Sequence, residues 1–289
     1  MYHSIGDIIM KEIANAKINL TLNIVEKRPD GYHNVDMIMQ TLDFGDVVTV
    51  ERIFSSIELS GTGKLAYDET NLAYKAARLF YDVTGIRGGC RIYIEKNIPM
   101  CAGMAGGSAD AAAVLRALNS LYGKPLGKKT LVRISARLGA DVPYCILKGT
   151  ARAQGIGDVI TPLKPFGKVK VLVVKPNASV STPKAYATLR YDIMAHPDTE
   201  LACTYINEGK RHMVYPVMGN SFEASVFEQY PEIALVKNRL CELGADGALM
   251  SGSGSTVFGI FEDASVAEKA YNEFKDKYNE VYLCSTTCE

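Results

Sequence analysis

The sequence has no excess of either charge: 32 Lys and Arg face 32 Asp and Glu in 289 residues, a formal net charge of zero with His neutral. Without a basic field, neither nucleic acid nor an anionic membrane surface is an expected partner. No stretch approaches the roughly 18 consecutive apolar residues of a membrane span. MYHSIGDIIMKE carries acidic residues and too short an apolar run for a signal peptide. The seven cysteines are scattered, with no CxxC pair and no His at ligand spacing. This excludes a disulfide framework and a zinc site and leaves the reduced thiols of a cytoplasmic protein. Repeats and low-complexity tracts are missing too. What remains is a chain, 47% hydrophobic, long enough for two ordinary domains and suited to a small-molecule partner.

The most informative stretch runs from Ile98 to Ala113, IPMCAGMAGGSADAAA, with Gly103, Gly106 and Gly107 within five residues. Ahead of it Cys90, Ile92 and Ile94 alternate with Arg91, Tyr93 and Glu95, the pattern of a strand with one buried face. Behind it Val114, Leu115, Leu118 and Leu121 repeat at helical spacing until Gly123. A glycine loop that feeds a helix start offers free N–H groups and the positive end of a dipole, which together favour a phosphate. The stretch is neither of the commonest phosphate loops: no Lys-Ser or Lys-Thr pair ends it, and its glycines do not fit GxGxxG. Taken alone, an ordinary glycine turn with Ser108 as helix cap fits equally well.

Earlier in the chain, KINLTLNIV alternates Ile18, Leu20, Leu22 and Ile24 with Lys17, Asn19, Thr21 and Asn23, a strand with a polar row. Lysine in such a row is ordinarily solvated. Pro29-Asp30-Gly31 marks a tight turn just before Tyr32 and His33, and strands are expected over Met37 to Leu42 and Asp46 to Ile53. Thr70 is placed to cap a helix that ends at Gly85. A further helix uses Leu131, Ile134 and Leu138 and closes at Gly139. Asp141 then precedes apolar VPYCI, where it is either a helix cap or a carboxylate that needs a partner.

Past Gly149, TARAQGIGD suits a strand and turn, and the cluster Pro162, Pro165 and Gly167 suggests a boundary, giving domains 1–162 and 163–289. KVLVVKP reads as a buried strand. Helices are expected over Pro183 to Tyr191, Ser221 to Gln229, Pro231 to Leu243 and 264–277, and a strand over Glu280 to Cys284. Between two apolar runs lies a second glycine turn, Ser251-Gly252-Ser253-Gly254-Ser255. The mixture predicts an α+β chain whose second part is a small sheet with helices on one face.

Together, ANAKINLTLNI, PMCAGMAGGSADAAA and MSGSGSTVFGIF resemble, in order and approximate spacing, the motifs of the GHMP kinase superfamily. RPDGYH, ETNLA and LGADVPY resemble its branch that acts on a cytidine-diphosphate-linked methylerythritol, and RPDGYH separates that branch from kinases of mevalonate or sugars. The resemblance implies a two-domain α+β fold: an N-terminal ribosomal-protein-S5-like β/α domain, a C-terminal ferredoxin-like α/β domain and an active site in the interdomain cleft. It implies a cytoplasmic kinase, a monomer or weak homodimer, that uses ATP and Mg2+ to phosphorylate the 2-hydroxyl of 4-diphosphocytidyl-2-C-methyl-D-erythritol in the non-mevalonate isoprenoid pathway. A catalytically silent nucleotide-binding relative would lack the catalytic pair, and both members of the pair are present.

By the same resemblance the catalytic lysine and aspartate fall on Lys17 and Asp141. The ATP residues fall on Asn71 and Lys96 and on the loop Pro99, Met100, Cys101, Ala102, Gly103, Met104, Ala105, Gly106, Gly107, Ser108 and Ala109. The substrate residues fall on Asn19, Tyr32, His33, Thr182 and Tyr186, and no protein metal ligand is assigned. Cytosine offers a flat face and an amide-like edge, so Tyr32 and Tyr186 are expected to sandwich the ring while His33 bonds its edge. Half-buried packing is the alternative for both tyrosines. Two departures from the family pattern are Ala105 and Ala109, where glycine or serine is usual. The first matters only if residue 105 needs a positive φ.

Overall fold

The computed structural model describes residues 9–288, so the first eight residues of the N-terminal segment read above lie outside it. Among the described residues no helix is long and apolar enough to cross a membrane. The chain forms two compact units, each assembled from several segments. One contains residues up to 16, 45–98 and 105–147; the other contains 17–44, 99–104 and the chain from 148 onward. Two long strands, β1 (Ile9–Lys27) and β2 (His33–Ile53), contribute to both.

In the first unit the later part of β2 pairs antiparallel with β4 (Gly89–Glu95), which pairs in parallel with β3 (Ile57–Gly61). The expected break near Gly45 is absent, and β2 runs through it as one strand. A Cβ on Gly45 would lie 2.4 Å from the Ala14 carbonyl oxygen. The glycine therefore marks a close backbone approach inside a strand rather than a turn. The helices of this unit are α1 (Leu72–Thr84), which packs on β3, α2 (Gly106–Leu121), α3 (Lys128–Ser135) and α4 (Val142–Leu147), with α4 against both α2 and α3. Helices α1 and α2 pack together, and both bury alanines, among them Ala73, Ala76, Ala77, Ala111 and Ala112. Small side chains let two helices approach closely without leaving a void.

The start of α1 is one residue later than expected. Asp68 Oδ1 accepts from both the Thr70 N–H (2.8 Å) and the Thr70 hydroxyl (2.5 Å), so Thr70 is held in an Asx turn. Asn71 takes the cap, its Oδ1 accepting from Ala73 N–H at 2.9 Å, and Gly85 closes the helix at φ 67°. Helix α3 stops at Ser135, and Leu138 falls in the turn that follows.

In the second unit the early part of β2 pairs with β5 (Thr150–Gln154), which pairs with β6 (Val159–Pro162). A separate antiparallel sheet has the order β11-β7-β10-β9, where β7 is Lys170–Lys175, β9 is Gly247–Met250, β10 is Val257–Phe261 and β11 is Glu280–Ser285. Residues 171–175 and all of β10 are buried, as expected of central strands. The helices of this unit are α5 (Thr182–Ala187), α6 (Thr199–Asn207), α7 (Glu223–Gln229), α8 (Pro231–Glu242) and α9 (Ala264–Phe274). The short β8 (Gly219–Asn220) runs parallel to β1, Thr21 opposite Gly219. Helix α5 ends well before Tyr191 because Arg190 N–H donates to Ser225 Oγ (2.8 Å) instead of to a helical carbonyl. Helix α9 ends at Phe274, short of the expected 277. Helix α6, which carried no recognised signal, is capped by Asp198.

The cap at Asn71 gives a stability test. Asn71→Ala should lower the unfolding free energy by about 1 kcal/mol, and Asn71→Asp, which keeps the acceptor, by much less. Denaturant titration of both variants checks this; equal stability of Asn71→Ala and the parent protein would rule out the cap.

Candidate functional site

The polar row of β1 is the organising feature of the second unit. Both faces of β1 are buried around Lys17, so the lysine is not solvated: it is 4% exposed, with Asn19 and Thr21 fully buried. Burying a charge and two polar groups requires partners, and they are present. Lys17 Nζ donates to Asn19 Oδ1 at 2.6 Å and to the Gly103 carbonyl at 2.8 Å, and its backbone N–H donates to the Met104 carbonyl at 3.2 Å. Asn19 Oδ1 also accepts from Gly252 N–H at 3.1 Å, while Ser251 Oγ donates to the same Gly103 carbonyl at 3.0 Å. Three segments far apart in sequence, the β1 row, the loop at 99–104 and the turn at 251–255, thus meet around one ammonium group. Asn220 fixes the turn from behind, its Nδ2 donating to the carbonyls of Met250 (2.7 Å) and Gly252 (2.8 Å). The hydroxyls of Thr182 and Ser253 lie 2.9 Å apart, which ties the start of α5 to the same turn.

An aromatic group stands in this unit as well. Tyr32 follows the turn at Gly31 (φ 85°) and is 62% exposed, whereas His33 beside it is buried. Tyr186 stacks on His33, not Tyr32, with ring centroids 4.6 Å apart and planes at 21°. The edge of Phe222 closes on Tyr186 at 4.9 Å and 78°. His33 Nε2 lies 2.8 Å from the Tyr191 hydroxyl. The expected pairing of Tyr32 with Tyr186 across an open slot is therefore not the resting arrangement, because His33 covers one face of Tyr186. Burial, assisted by Lys27, lowers the His33 pKa below its usual 6.5, so the ring is neutral at pH 7.

In the first unit, α2 begins directly at Gly106, preceded by Ala105 at φ 61° and ψ 27° with no side chain capping the helix. Ser108 lies within the first turn and is not the cap. Ala105 is thus a left-handed alanine, so its departure from the family pattern has a cost of about 1–2 kcal/mol. Lys96 lies beside the helix start, its Nζ 3.5 Å from where a Cβ on Gly106 would be. It is held by Asp110 at 2.7 Å and by Asp46, which also accepts from the backbone N–H groups of Asn97 (2.5 Å) and Ile98 (2.7 Å). Burial works against the Lys96 charge, but Asp110 and Asp46 outweigh it and raise its pKa. Burial pushes Asp110 up to about 7 against the pull of Lys96, and one of its oxygens, Oδ1, is buried with no hydrogen-bond partner. Asn71 spends its amide on the α1 cap and on the Ala66 carbonyl (2.8 Å). Asp141 is half-buried just ahead of α4, and its carboxylate takes no hydrogen bond or ion pair among the described residues. Pro143 removes one of the N–H groups that a cap would bind, so the capping alternative gains no support here.

The glycines sort into two kinds. Gly103 has φ 70°, and a Cβ there would lie 2.0 Å from the Ser251 carbonyl oxygen. The fold itself requires glycine at that position. At Gly106 and Gly107 the nearest atoms to an added Cβ are 3.4 Å and 3.8 Å away, ordinary contacts in a conformation open to any residue. The protein has no use of its own for those two glycines, which leaves a cradle that a Cβ would narrow. Among the described residues no three His, Cys, Asp or Glu side chains are grouped to hold a metal ion, and all seven cysteines are free.

Sequence reasoning did not find Ser251, Asn220, Asp46, Asp110 or Tyr191. Asp46 and Asp110 are far from Lys96 in sequence and carry no periodic signature. The glycine-serine turn was visible as a turn, but its hydrogen bond to Gly103 spans 148 residues.

This α+β arrangement, a glycine loop opening a helix and a buried lysine locked to a second glycine turn, is that of a small-molecule kinase. Residues 71–149 match the GHMP kinases N terminal domain and residues 195–280 the GHMP kinases C terminal domain. The 4-diphosphocytidyl-2-C-methyl-D-erythritol kinase of Clostridium tetani is 44% identical over 96% of this chain and 100% of its own length. That of Clostridium botulinum is 43% identical over 94% of this chain and 98% of its own. A crystal structure of 4-(cytidine 5'-diphospho)-2C-methyl-D-erythritol kinase superposes with a TM-score of 0.83 at 35% identity, covering 96% of this chain and 99% of the other. Homoserine kinase from Cytophaga hutchinsonii shares the fold alone, with a TM-score of 0.75 at 19% identity over 99% and 97% of the two chains. The chain belongs to the GHMP kinase family.

Two outcomes follow from the geometry. Gly103→Ala should cut thermal stability sharply, whereas Gly106→Ala should leave it unchanged or raise it by about 0.4–1 kcal/mol through the unfolded state while weakening ATP binding. Calorimetry and nucleotide titration of both variants check this, and unchanged ATP affinity in Gly106→Ala would remove the helix start as a phosphate site. For His33, the unfolded chain takes up a proton near pH 6.5 and the folded chain only at lower pH. Its contribution to stability is therefore whole above pH 6.5 and erodes as the pH falls through the folded value. Unfolding curves between pH 7.5 and roughly 5 should show a slope that His33→Gln flattens.

Proposed function

We propose that the protein transfers the γ-phosphoryl group of ATP to the 2-hydroxyl of 4-diphosphocytidyl-2-C-methyl-D-erythritol, a step of the non-mevalonate route to isoprenoid precursors. The observation that carries this reading is the convergence of Asn19 and Gly103 on the buried Lys17 ammonium, with Gly252 bound to the same Asn19, in a chain whose relatives bear that substrate in their names. Phosphoryl transfer has a loose transition state, so the protein mainly positions its reactants and balances charge. The acceptor oxygen attacks the γ-phosphorus, the bond to the ADP oxygen breaks, and the hydroxyl proton passes to a base. Asp141, whose carboxylate is not engaged elsewhere, is assigned as that base, and Lys17, oriented by Asn19 and the Gly103 carbonyl, aligns the reacting groups. The triphosphate is assigned to the N–H groups from Gly103 to Ser108, with the Lys96 ammonium beside the start of α2 adding positive charge.

A magnesium ion would sit between the phosphates and neutralise their charge. Such an ion ordinarily keeps several waters and takes few protein ligands. Asn19, Thr182, Tyr32, His33 and Tyr186 are assigned to the cytidylated alcohol. The base then either displaces His33 from Tyr186 or uses the opposite face of that ring. A cytoplasmic monomer or weak homodimer is assigned, and balanced charge supports action on small molecules and not on nucleic acid. A domain boundary near 162 fits between the two family matches, which end at 149 and begin at 195.

Steady-state kinetics test the assignment. ATP turnover should require the cytidylated alcohol and should not respond to mevalonate. Asp141→Asn should lower kcat by about 10²- to 10⁴-fold, the usual worth of a positioned general base, with ATP still bound. Near-normal turnover in that variant would leave Asp141 without a catalytic role.

A further inference from the structure

We infer that Tyr191 is a positioning residue for recognition of the cytosine base: its hydroxyl donates to His33 Nε2, fixing the tautomer that presents Nδ1–H as a donor to the carbonyl edge of the base. The inference rests on the proposal that His33 meets the cytidine group. It adds a residue from a turn with no motif of its own.

The geometry is specific. The Tyr191 hydroxyl and His33 Nε2 are 2.8 Å apart, across 158 residues of sequence. His33 is buried and stacked on Tyr186, so its ring plane is already set, and only its in-plane hydrogen bonding remains to be fixed. Nδ1 has no partner among the described residues, which leaves that edge for something outside the chain. Tyr191 is 52% exposed, yet its backbone is anchored on both sides. Arg190 N–H donates to the buried Ser225 hydroxyl at 2.8 Å, Ile193 N–H donates to the Arg190 carbonyl at 3.2 Å, and the Arg190 guanidinium joins Asp192 and Glu228. A half-exposed tyrosine on so well-held a turn is placed for its hydroxyl.

The direction of the bond follows from acidity. In a Tyr–His pair with neutral imidazole, the phenol is the stronger acid and the imidazole nitrogen the stronger base, so O–H···N is favoured over N–H···O. Burial keeps the ring neutral. With Nε2 accepting, the single ring proton must lie on Nδ1. Cytosine carries acceptors at O2 and N3, which a donor complements and a bare lone pair would repel. A pocket that presents the wrong tautomer would leave a buried acceptor facing another acceptor, and such mismatches discriminate strongly.

The test combines imidazole ¹⁵N spectroscopy with titration of CDP into the full-length protein. The parent protein should show His33 as the Nδ1–H tautomer. Tyr191→Phe, which keeps the ring and removes only the hydroxyl, should give mixed tautomers. CDP should bind about three- to tenfold more weakly, the scale of one hydrogen bond. KM for the cytidylated substrate should rise in parallel, with little change in kcat or in KM for ATP. In a His33→Ala background, or His33→Gln if alanine impairs folding, Tyr191→Phe should add no further loss. A purely structural tyrosine would add its effect in both backgrounds. An Nε2–H tautomer in the parent protein, or CDP affinity within twofold of the parent in Tyr191→Phe while loss of His33 weakens it, overturns the role of Tyr191 alone. If loss of His33 leaves CDP affinity unchanged, the cytidine site itself is misassigned and this role falls with it.

Discussion

The arrangement depends on the burial of Lys17. A lysine ammonium placed at the centre of a strand with both faces covered must be fully engaged or it destabilises the fold by several kcal/mol. The chain meets that requirement with Asn19 Oδ1 on the same strand and the Gly103 carbonyl from a distant loop, and each of these oxygens serves a second donor, Gly252 N–H and the Ser251 hydroxyl. The same bonds that satisfy the charge therefore fix two glycine turns relative to β1. Stability and site geometry are one constraint: displacing Asn19 or Gly103 would take an acceptor from Lys17 and from Gly252 or Ser251 at the same time.

This dependence explains why glycines in one loop answer to different forces. Gly103 is fixed by the fold, since its backbone lies against the Ser251 carbonyl in a conformation and a space that no side chain permits. Gly106 and Gly107 are not fixed by anything in the chain. Just before them stands Ala105, an alanine in the left-handed region where glycine would be cheaper. Local strain of about 1–3 kcal/mol persists only where the surroundings over-determine it, and here the loop on one side and the helix on the other leave residue 105 no alternative. Cys101, at φ 51°, is a second such residue in the loop.

Much of this was legible in the sequence, for definable reasons. Strand β4, helices α1 and α2, the buried β7 and the turn at Gly31 each follow from local periodicity and turn chemistry, and they lie where those signals put them. Local signals failed where a long-range contact decided the outcome. Gly45 looked like a break because its role is to admit the Ala14 backbone. Thr70 looked like a cap because Asp68 had not been recognised as its partner. Lys17 looked solvated because the Gly103 carbonyl it donates to lies 86 residues away, and the Gly252 N–H that fixes its other acceptor, Asn19, lies 233 residues from that asparagine. For the site, motif resemblance named Lys17, Asn19, Gly103 and Thr182, which the second unit does bring together. It could not show that His33 rather than Tyr32 lies on Tyr186, because that contact depends on the path of the chain after α5.

The two lysines illustrate how charge is rationed between binding and chemistry. Lys96 is bracketed by two carboxylates, one of which, Asp110, is raised above the usual carboxylate range by burial against the pull of Lys96. Its charge is thus largely balanced. The Lys17 ammonium is oriented by the dipoles of two neutral oxygens, Asn19 Oδ1 and the Gly103 carbonyl. A cation oriented by dipoles stabilises developing negative charge without reorganising, which is the condition under which electrostatic catalysis is strongest. The two lysines thus meet the cost of burial in different ways: Lys96 between two carboxylates, Lys17 in part through the oriented dipoles of neutral oxygens.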